Sequence, residues 1–106
     1  MKKLILIGAM VCSVARAEFM TGNELLQYVE SSEDIKWGIA MGYVLGAADI
    51  TMGDKHCTPN NVEAGQVLQI VKDKLKENPK YRHHSADVFV AAALADAWPC
   101  KKGRGA

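Results

Sequence analysis

The sequence predicts a small all-α protein, a single four-helix domain closed by one disulfide. Apolar residues recur at the three- and four-residue spacing of helices along almost the whole chain, and the alternation typical of strands is absent. Only three of the 106 residues are proline, and each lies next to the start or the end of a predicted helix. Two cysteines outside the N-terminal segment supply the disulfide.

The N-terminal segment, residues 1–17, has the pattern of a secretory signal peptide. Lys2 and Lys3 form a basic start, residues 4–14 carry no charge, and Ala15-Arg16-Ala17 places small residues where a signal peptidase cuts. The uncharged run is shorter than the about 20 residues that a membrane span needs. We therefore expect export to the periplasm with no membrane span in the mature protein.

The mature chain is expected to contain a helical domain over residues 18–100 and a flexible basic tail over residues 101–106. Of the 13 Lys and Arg residues, three lie in the signal peptide, so 10 basic and 12 acidic residues remain, a net charge of −2. Nucleic-acid-binding proteins normally carry a basic face, so this balance argues against that class.

Cys57 and Cys100 are predicted to form the disulfide, because an even pair of cysteines in a small exported chain is typical of one. Closing a loop of about 44 residues stabilises a fold by about 4 kcal/mol in the chain-entropy model. A metal site that includes His56 is the alternative, but the paired ligand spacing of zinc sites is absent. We expect no metal and no cofactor.

Four helices are predicted, the first beginning near Thr21, where Thr21 and Glu24 have the spacing of a capping box. The other three are predicted over residues 33–50, 62–77 and 85–98. The fourth is apolar nearly all round, which predicts a central position in the core. The residues predicted to lie in the core are Trp37, Val44, Val71, Phe89, Val90 and Leu94.

Three glycines, Gly38, Gly42 and Gly46, fall on one line of the second helix. Each costs a helix about 1 kcal/mol relative to alanine, so close approach of another helix is the expected compensation. That helix could belong to the same chain or to a second subunit, and we predict a homodimer. A membrane helix pair is the third interpretation, but the uncharged stretch between Lys36 and Asp49 is too short to span a bilayer.

No catalytic pattern is convincing, so we expect a binding protein and not an enzyme. Cys57 and His56 are adjacent, and neighbouring residues rarely present both side chains to one substrate. His83 and His84 with Asp87 could form an acid–base or metal group, but they lie at a predicted helix start, where polar residues usually cap the helix or face solvent.

Several short motifs together resemble one family. They are Gly46-Ala47-Ala48-Asp49, Cys57-Thr58-Pro59, Val62 with Gln66, Pro79 with Arg82-His83, Ala93-Leu94, and Trp98-Pro99-Cys100. Over about residues 21–100 the pattern resembles the Rap/Tai family, which are immunity proteins of type VI secretion systems. The resemblance implies a small periplasmic helical protein, often dimeric, that binds and inhibits a peptidoglycan amidase effector. Asn61 and Glu63 depart from the Gly and Thr that many members carry there.

Two loops are available for inhibition, residues 51–61 and residues 78–85. The second loop carries the predicted effector-binding residues, because interfaces favour Tyr and Arg as anchors. Those residues are Lys80, Tyr81, Arg82 and His83. In an alternative interpretation, Arg82 and His83 only cap the fourth helix.

A second class of function stays open, that of periplasmic acid-stress chaperones. Such proteins are also small, helical and held by one disulfide. They expose apolar surface when acid dissociates their dimers.

Overall fold

The computed structural model describes residues 19–101, and it contains four α-helices with one 3₁₀ turn between the third and the fourth. The helices are α1 (Gly22–Val29), α2 (Asp34–Thr51), α3 (Ala64–Glu77) and α4 (Ala86–Ala97), and the 3₁₀ turn is Pro79–Tyr81. Each helix packs against the other three, which confirms the predicted all-α class. The predicted signal peptide and most of the predicted tail lie outside the described residues.

The helix ends agree with the predicted ends to within two residues. α1 starts at the predicted capping box, in which Thr21 Oγ1 accepts from the backbone N–H of Glu24 at 3.2 Å and Glu24 Oε1 accepts from that of Thr21 at 2.9 Å. α3 starts two residues later than predicted, because the backbone N–H of Glu63 donates to Gln66 Oε1 at 2.8 Å. This second capping box defines the start of α3.

The core lies where the four helices meet, and five of its six predicted members are confirmed as buried. Its buried apolar residues are Leu25, Val29, Ala40, Val44, Val67, Leu68, Val71, Leu75, Ala86, Phe89, Val90, Ala93 and Leu94.

The sixth predicted core residue, Trp37, is 42% exposed, so that prediction is wrong. Trp37 lies in the first turn of α2, on the same side as Ala40 and Val44, which are buried one and two turns later. Helical spacing therefore gave the correct side of the helix. It carries no information on how far the neighbouring helices extend, and Trp37 lies near the end of the bundle, in a shallow groove beside Val29 and Leu68.

The predicted central position of α4 is only half correct. Its inner side is buried, but Val88 on its outer side is 58% exposed. Ala91, Ala92 and Ala95 on the same side are partly exposed. α4 therefore carries an apolar surface that the described part of the chain does not cover.

The disulfide between Cys57 and Cys100 is present, with the two Cα atoms 4.9 Å apart. The backbone N–H of Cys57 also donates to the carbonyl of Trp98 at 2.8 Å. Together these bonds fix the segment between α2 and α3 to the end of α4.

His56 anchors the same segment from inside. Its ring is fully buried, with Nε2 3.0 Å from the carbonyl oxygen of Ala48 and Nδ1 2.7 Å from Thr58 Oγ1. A carbonyl only accepts, so Nε2 carries the hydrogen, and in the neutral ring Nδ1 accepts from the Thr58 hydroxyl. Both ring nitrogens are therefore used in holding the loop.

Within residues 19–101, no cluster of three or more His, Cys, Asp and Glu side chains is arranged to hold a metal ion. Over the same range, none of the helices has the length and apolar character that a membrane crossing requires.

Candidate functional site

The loop between α3 and α4 is a structured surface feature. After the 3₁₀ turn, the backbone N–H of His84 donates to the carbonyl of Tyr81 at 2.9 Å, and Asn78 Nδ2 donates to the carbonyl of Lys74 at 2.8 Å. Of the four predicted effector-binding residues, Lys80, Tyr81 and His83 are exposed and Arg82 is half-buried. The loop therefore presents three of the four to solvent.

Arg82 holds the loop from beneath. Its Nη1 donates to the carbonyl of Leu75 at 3.3 Å, at the end of α3, and its backbone carbonyl accepts from the N–H of Asn23 at 2.8 Å. Its buried Nε has no hydrogen-bond partner among the described residues. The alternative interpretation, in which Arg82 caps α4, is therefore wrong. The guanidinium of Arg82 donates instead to a carbonyl at the end of α3.

The first turn of α1 packs directly on this loop. The backbone N–H of Gly22 donates to the carbonyl of His84 at 2.9 Å, and that of Ala86 donates to the carbonyl of Met20 at 2.8 Å. A Cβ at Gly22 would lie 2.9 Å from Phe89 Cε2 and 3.0 Å from the carbonyl oxygen of Arg82. The contact therefore needs glycine. The sequence feature that could have indicated this close contact is the glycine itself, because a glycine in the first turn of a helix lowers helix propensity.

Aromatic and cationic side chains cluster on the exposed side of the loop. The Tyr81 and His84 ring centroids are 6.0 Å apart, and those of His83 and His84 are 4.4 Å apart. Lys80 Nζ lies 5.4 Å from the centroid of the Tyr81 ring. The cluster offers flat apolar rings and hydrogen-bond donors, which suits a protein partner better than a small substrate. His84 was not among the predicted binding residues.

A second candidate surface lies on α2. Gly38, Gly42 and Gly46 point away from the core, and a Cβ built on any of them meets no described atom within 4 Å. Close packing inside the chain was one of the two leading interpretations of these glycines, and among the described residues it is wrong. We call this surface the glycine face. It is defined by Ile35, Gly38, Ile39, Gly42, Gly46 and Ile50.

The glycine face is both exposed and apolar. Its aliphatic residues include Ile35, which is 78% exposed, and Ile50, which is 84% exposed. A contiguous apolar surface of this kind on a small protein usually marks an interaction site. The other interpretation of the glycines, a subunit interface, stays a prediction.

A comparison with protein families identifies the family of the chain. The model of the Rap1a immunity proteins matches residues 21–100, from the cap of α1 to the second cysteine of the disulfide. The chain belongs to the Rap1a immunity protein family. The predicted resemblance is thereby confirmed over all four helices. No curated protein sequence matches the chain.

For a Rap1a immunity protein, the relevant chemistry is recognition of a toxin effector, since immunity families act by binding. Tyr43 links the two candidate surfaces of this family member, because it extends from α2 to the start of α4. Burial and then the Asp87 carboxylate raise the pKa of Tyr43, while the nearby polar groups of Ser85 and the Asp87 backbone oppose the rise. The tyrosine therefore stays neutral at ordinary pH and joins α2 to the end of the loop.

Proposed function

We propose that this Rap1a family member is a periplasmic immunity protein that binds and inhibits a peptidoglycan amidase delivered by a type VI secretion system. The observation that carries the proposal is the family match over all four helices. The signal-peptide pattern of residues 1–17 and the disulfide support a periplasmic location, because disulfides persist in oxidising compartments.

Inhibition in this proposal is occlusion of the amidase cleft by the loop of residues 78–85. The loop is fixed before binding by the Arg82 guanidinium on α3 and by the backbone bonds of α1 to the carbonyls of Arg82 and His84. A loop that is already ordered loses little conformational entropy on binding, so more of the contact energy becomes affinity. The role requires no catalytic group on this chain.

We further propose that the protein is a homodimer in which the glycine faces of two copies meet. Glycines along one line allow two helices to approach closely, while Ile35, Ile39 and Ile50 supply apolar area. The face has no charged residue of α2 between Lys36 and Asp49, and the only carboxylate beside its central glycines among the described residues is Asp87 of α4, which a two-fold pairing has to keep apart from its copy.

The direct test combines the purified chain with the purified amidase effector of the same immunity locus. We expect peptidoglycan hydrolysis to stop when the two proteins are equimolar. Tyr81→Ala should weaken inhibition by about tenfold or more, as expected for an exposed aromatic anchor. Hydrolysis at the uninhibited rate with excess chain would contradict the proposal.

A cellular test addresses the location. Cells that express an effector directed to the periplasm should survive when they also express the full-length chain. A version that begins at residue 18 and lacks the signal peptide should not protect them. Equal protection by both versions would show that export is not required.

The exposed aliphatic residues of the glycine face also suit the alternative of an acid-stress chaperone. In that case the chain should suppress light scattering by aggregation-prone clients at low pH. Suppression without any binding to the amidase would favour the chaperone over the immunity protein.

A further inference from the structure

A groove of about 310 Å³ runs between α3 and α4 beside the 3₁₀ turn. We call it the basic groove, and the residues that line it are Lys74, Asn78, Tyr81, His84, Val88, Phe89 and Ala92. The surface that it exposes is almost entirely apolar, although Lys74, Asn78, Tyr81 and His84 contribute to the lining. Its volume is close to the lower limit of the about 300–1,000 Å³ of typical ligand sites, so it suits an inserted side chain.

The walls of the groove expose apolar side chains. Val88 stands 58% exposed on one wall, Tyr81 stands 50% exposed on the other, and Phe89 forms the buried floor. The outer side of α4 continues from Val88 through Ala92 without a polar side chain. An outer helix surface without polar residues is expected where a partner binds.

Among the described residues, one unpaired cation lies beside the groove, next to the Tyr81 ring that lines it. Lys80 lies 5.4 Å from the Tyr81 ring and forms no ion pair with any described residue. His84 lies in the rim beside it. At the other end, Lys74 pairs with Asp96, and the next cleft is lined by Asp96 with further acidic residues. A negative charge on a partner is therefore attracted to the end near Lys80.

We propose that the basic groove is the anchor pocket for an acidic segment of the effector, which inserts one aliphatic or aromatic side chain between Tyr81 and Val88. The inference rests on the proposed function, because the occupant is the inhibited amidase. A second copy of this chain is the less suitable occupant. A two-fold pairing across the groove would place Lys80 of both copies near one another, and like charges oppose association.

The test uses the full mature chain and a catalytically inactive form of the amidase effector, with binding measured by calorimetry and by association and dissociation rates. Val88→Asp should weaken binding by about tenfold or more, mainly through faster dissociation. Lys80→Glu should weaken amidase binding by a similar factor, mainly through slower association. It should also make the association rate less dependent on salt. Lys72→Glu is the matched control, since Lys72 lies on α3 and lines the separate groove beside Trp37.

All three variants should fold, because the substituted side chains lie at the surface or half-exposed, and thermal unfolding checks this. If the parent binds and inhibits the amidase while Val88→Asp and Lys80→Glu bind equally well, the groove proposal is overturned and the proposed function stands. If the parent does not bind the amidase, both fail together. If Val88→Asp abolishes self-association and leaves amidase affinity unchanged, the groove holds a second copy, which also overturns the proposal.

Discussion

The glycine face and the basic groove are both exposed and apolar, but they differ in shape and charge. The glycine face runs along one helix and lacks charge over its central turns. The groove is concave, lies between two helices and has the cationic Lys80 beside it, next to the Tyr81 ring. An uncharged surface can meet its own copy without repulsion, whereas a basic surface selects a partner of opposite charge. The difference indicates which surface suits self-association and which suits a foreign protein.

The helices that carry the two surfaces also differ from the others. α2 and α4 expose apolar residues on their outer sides between the charged residues near their ends, while α1 and α3 have one apolar and one polar side. A helix that is apolar all round was expected to be central in the core. In a chain of four short helices no element is surrounded on all sides, so such a helix has an outer side available for binding.

The largest expected effect is on the free energy of unfolding, and it arises at the groove and not at the glycine face. Phe89 forms the floor of the groove and contacts the first turn of α1, and the glycine face does not touch it. Phe89→Ala should lower the free energy of unfolding by about 3–5 kcal/mol through lost burial and a cavity. Urea unfolding measures this. Phe19→Ala is the matched control, since Phe19 is 79% exposed, and an equal loss there would contradict the core assignment.

The disulfide tests whether the two surfaces belong to one folding unit. Cys100→Ser should destabilise the chain by about 2–5 kcal/mol. Because every helix packs on the other three, self-association and amidase binding should be lost over the same range of urea concentration. The parent in reductant should behave like the variant. Loss of one activity well before the other would show that the surfaces unfold separately.

Two glycine-to-alanine substitutions should have opposite effects. Gly22→Ala places a Cβ against Phe89 and should cost about 1–3 kcal/mol. Gly46→Ala meets open space in the single chain and should stabilise the dilute, monomeric protein by up to about 1 kcal/mol through helix propensity. At high concentration the same change should weaken the dimer, which sedimentation measures. Destabilisation by Gly46→Ala in the monomer would contradict the exposed position of the glycine face.

Salt should distinguish self-association from amidase binding, and this is the smallest of the expected effects. The screening length falls from about 10 Å at 0.1 M to about 3 Å at 1 M ionic strength. Amidase association through the basic groove should therefore slow as salt rises, while the dimer should be unchanged or slightly stronger. Ile39→Asp should convert the dimer to a monomer without changing the salt dependence of amidase association. A dimer that dissociates in high salt would reverse the assignment of the surfaces.

Local patterns were sufficient to predict much of this fold. The capping box at Thr21 depends on residues three apart, and the pairing of Cys57 with Cys100 follows from the cysteine count. The predictions that failed concern contacts that depend on tertiary geometry. Helical spacing placed Trp37 on the correct side of α2 but could not show that the bundle ends beside it.

The kinds of residue exposed at the candidate site could be predicted from the sequence, but the contacts that these residues make could not. Exposed Lys80 and Tyr81 follow from the composition of a loop after Asn78-Pro79. The inward position of Arg82 does not, because it depends on where the carbonyl of Leu75 lies relative to the loop. Val88 was assigned to a core helix, and only the packing of α4 shows that its outer side forms a wall of the groove.

The disulfide also has a topological consequence. The covalent ring from Cys57 to Cys100 contains α3, the exposed loop and α4, which together form both walls of the groove, while α2 lies outside the ring. A protease that cuts the exposed loop after Lys80 therefore leaves the two pieces linked through sulfur. The nicked protein would run as one species on a non-reducing gel and as two after reduction, and its halves would stay at high effective concentration. The loop of residues 78–85 can thus be cut without releasing either half of the protein.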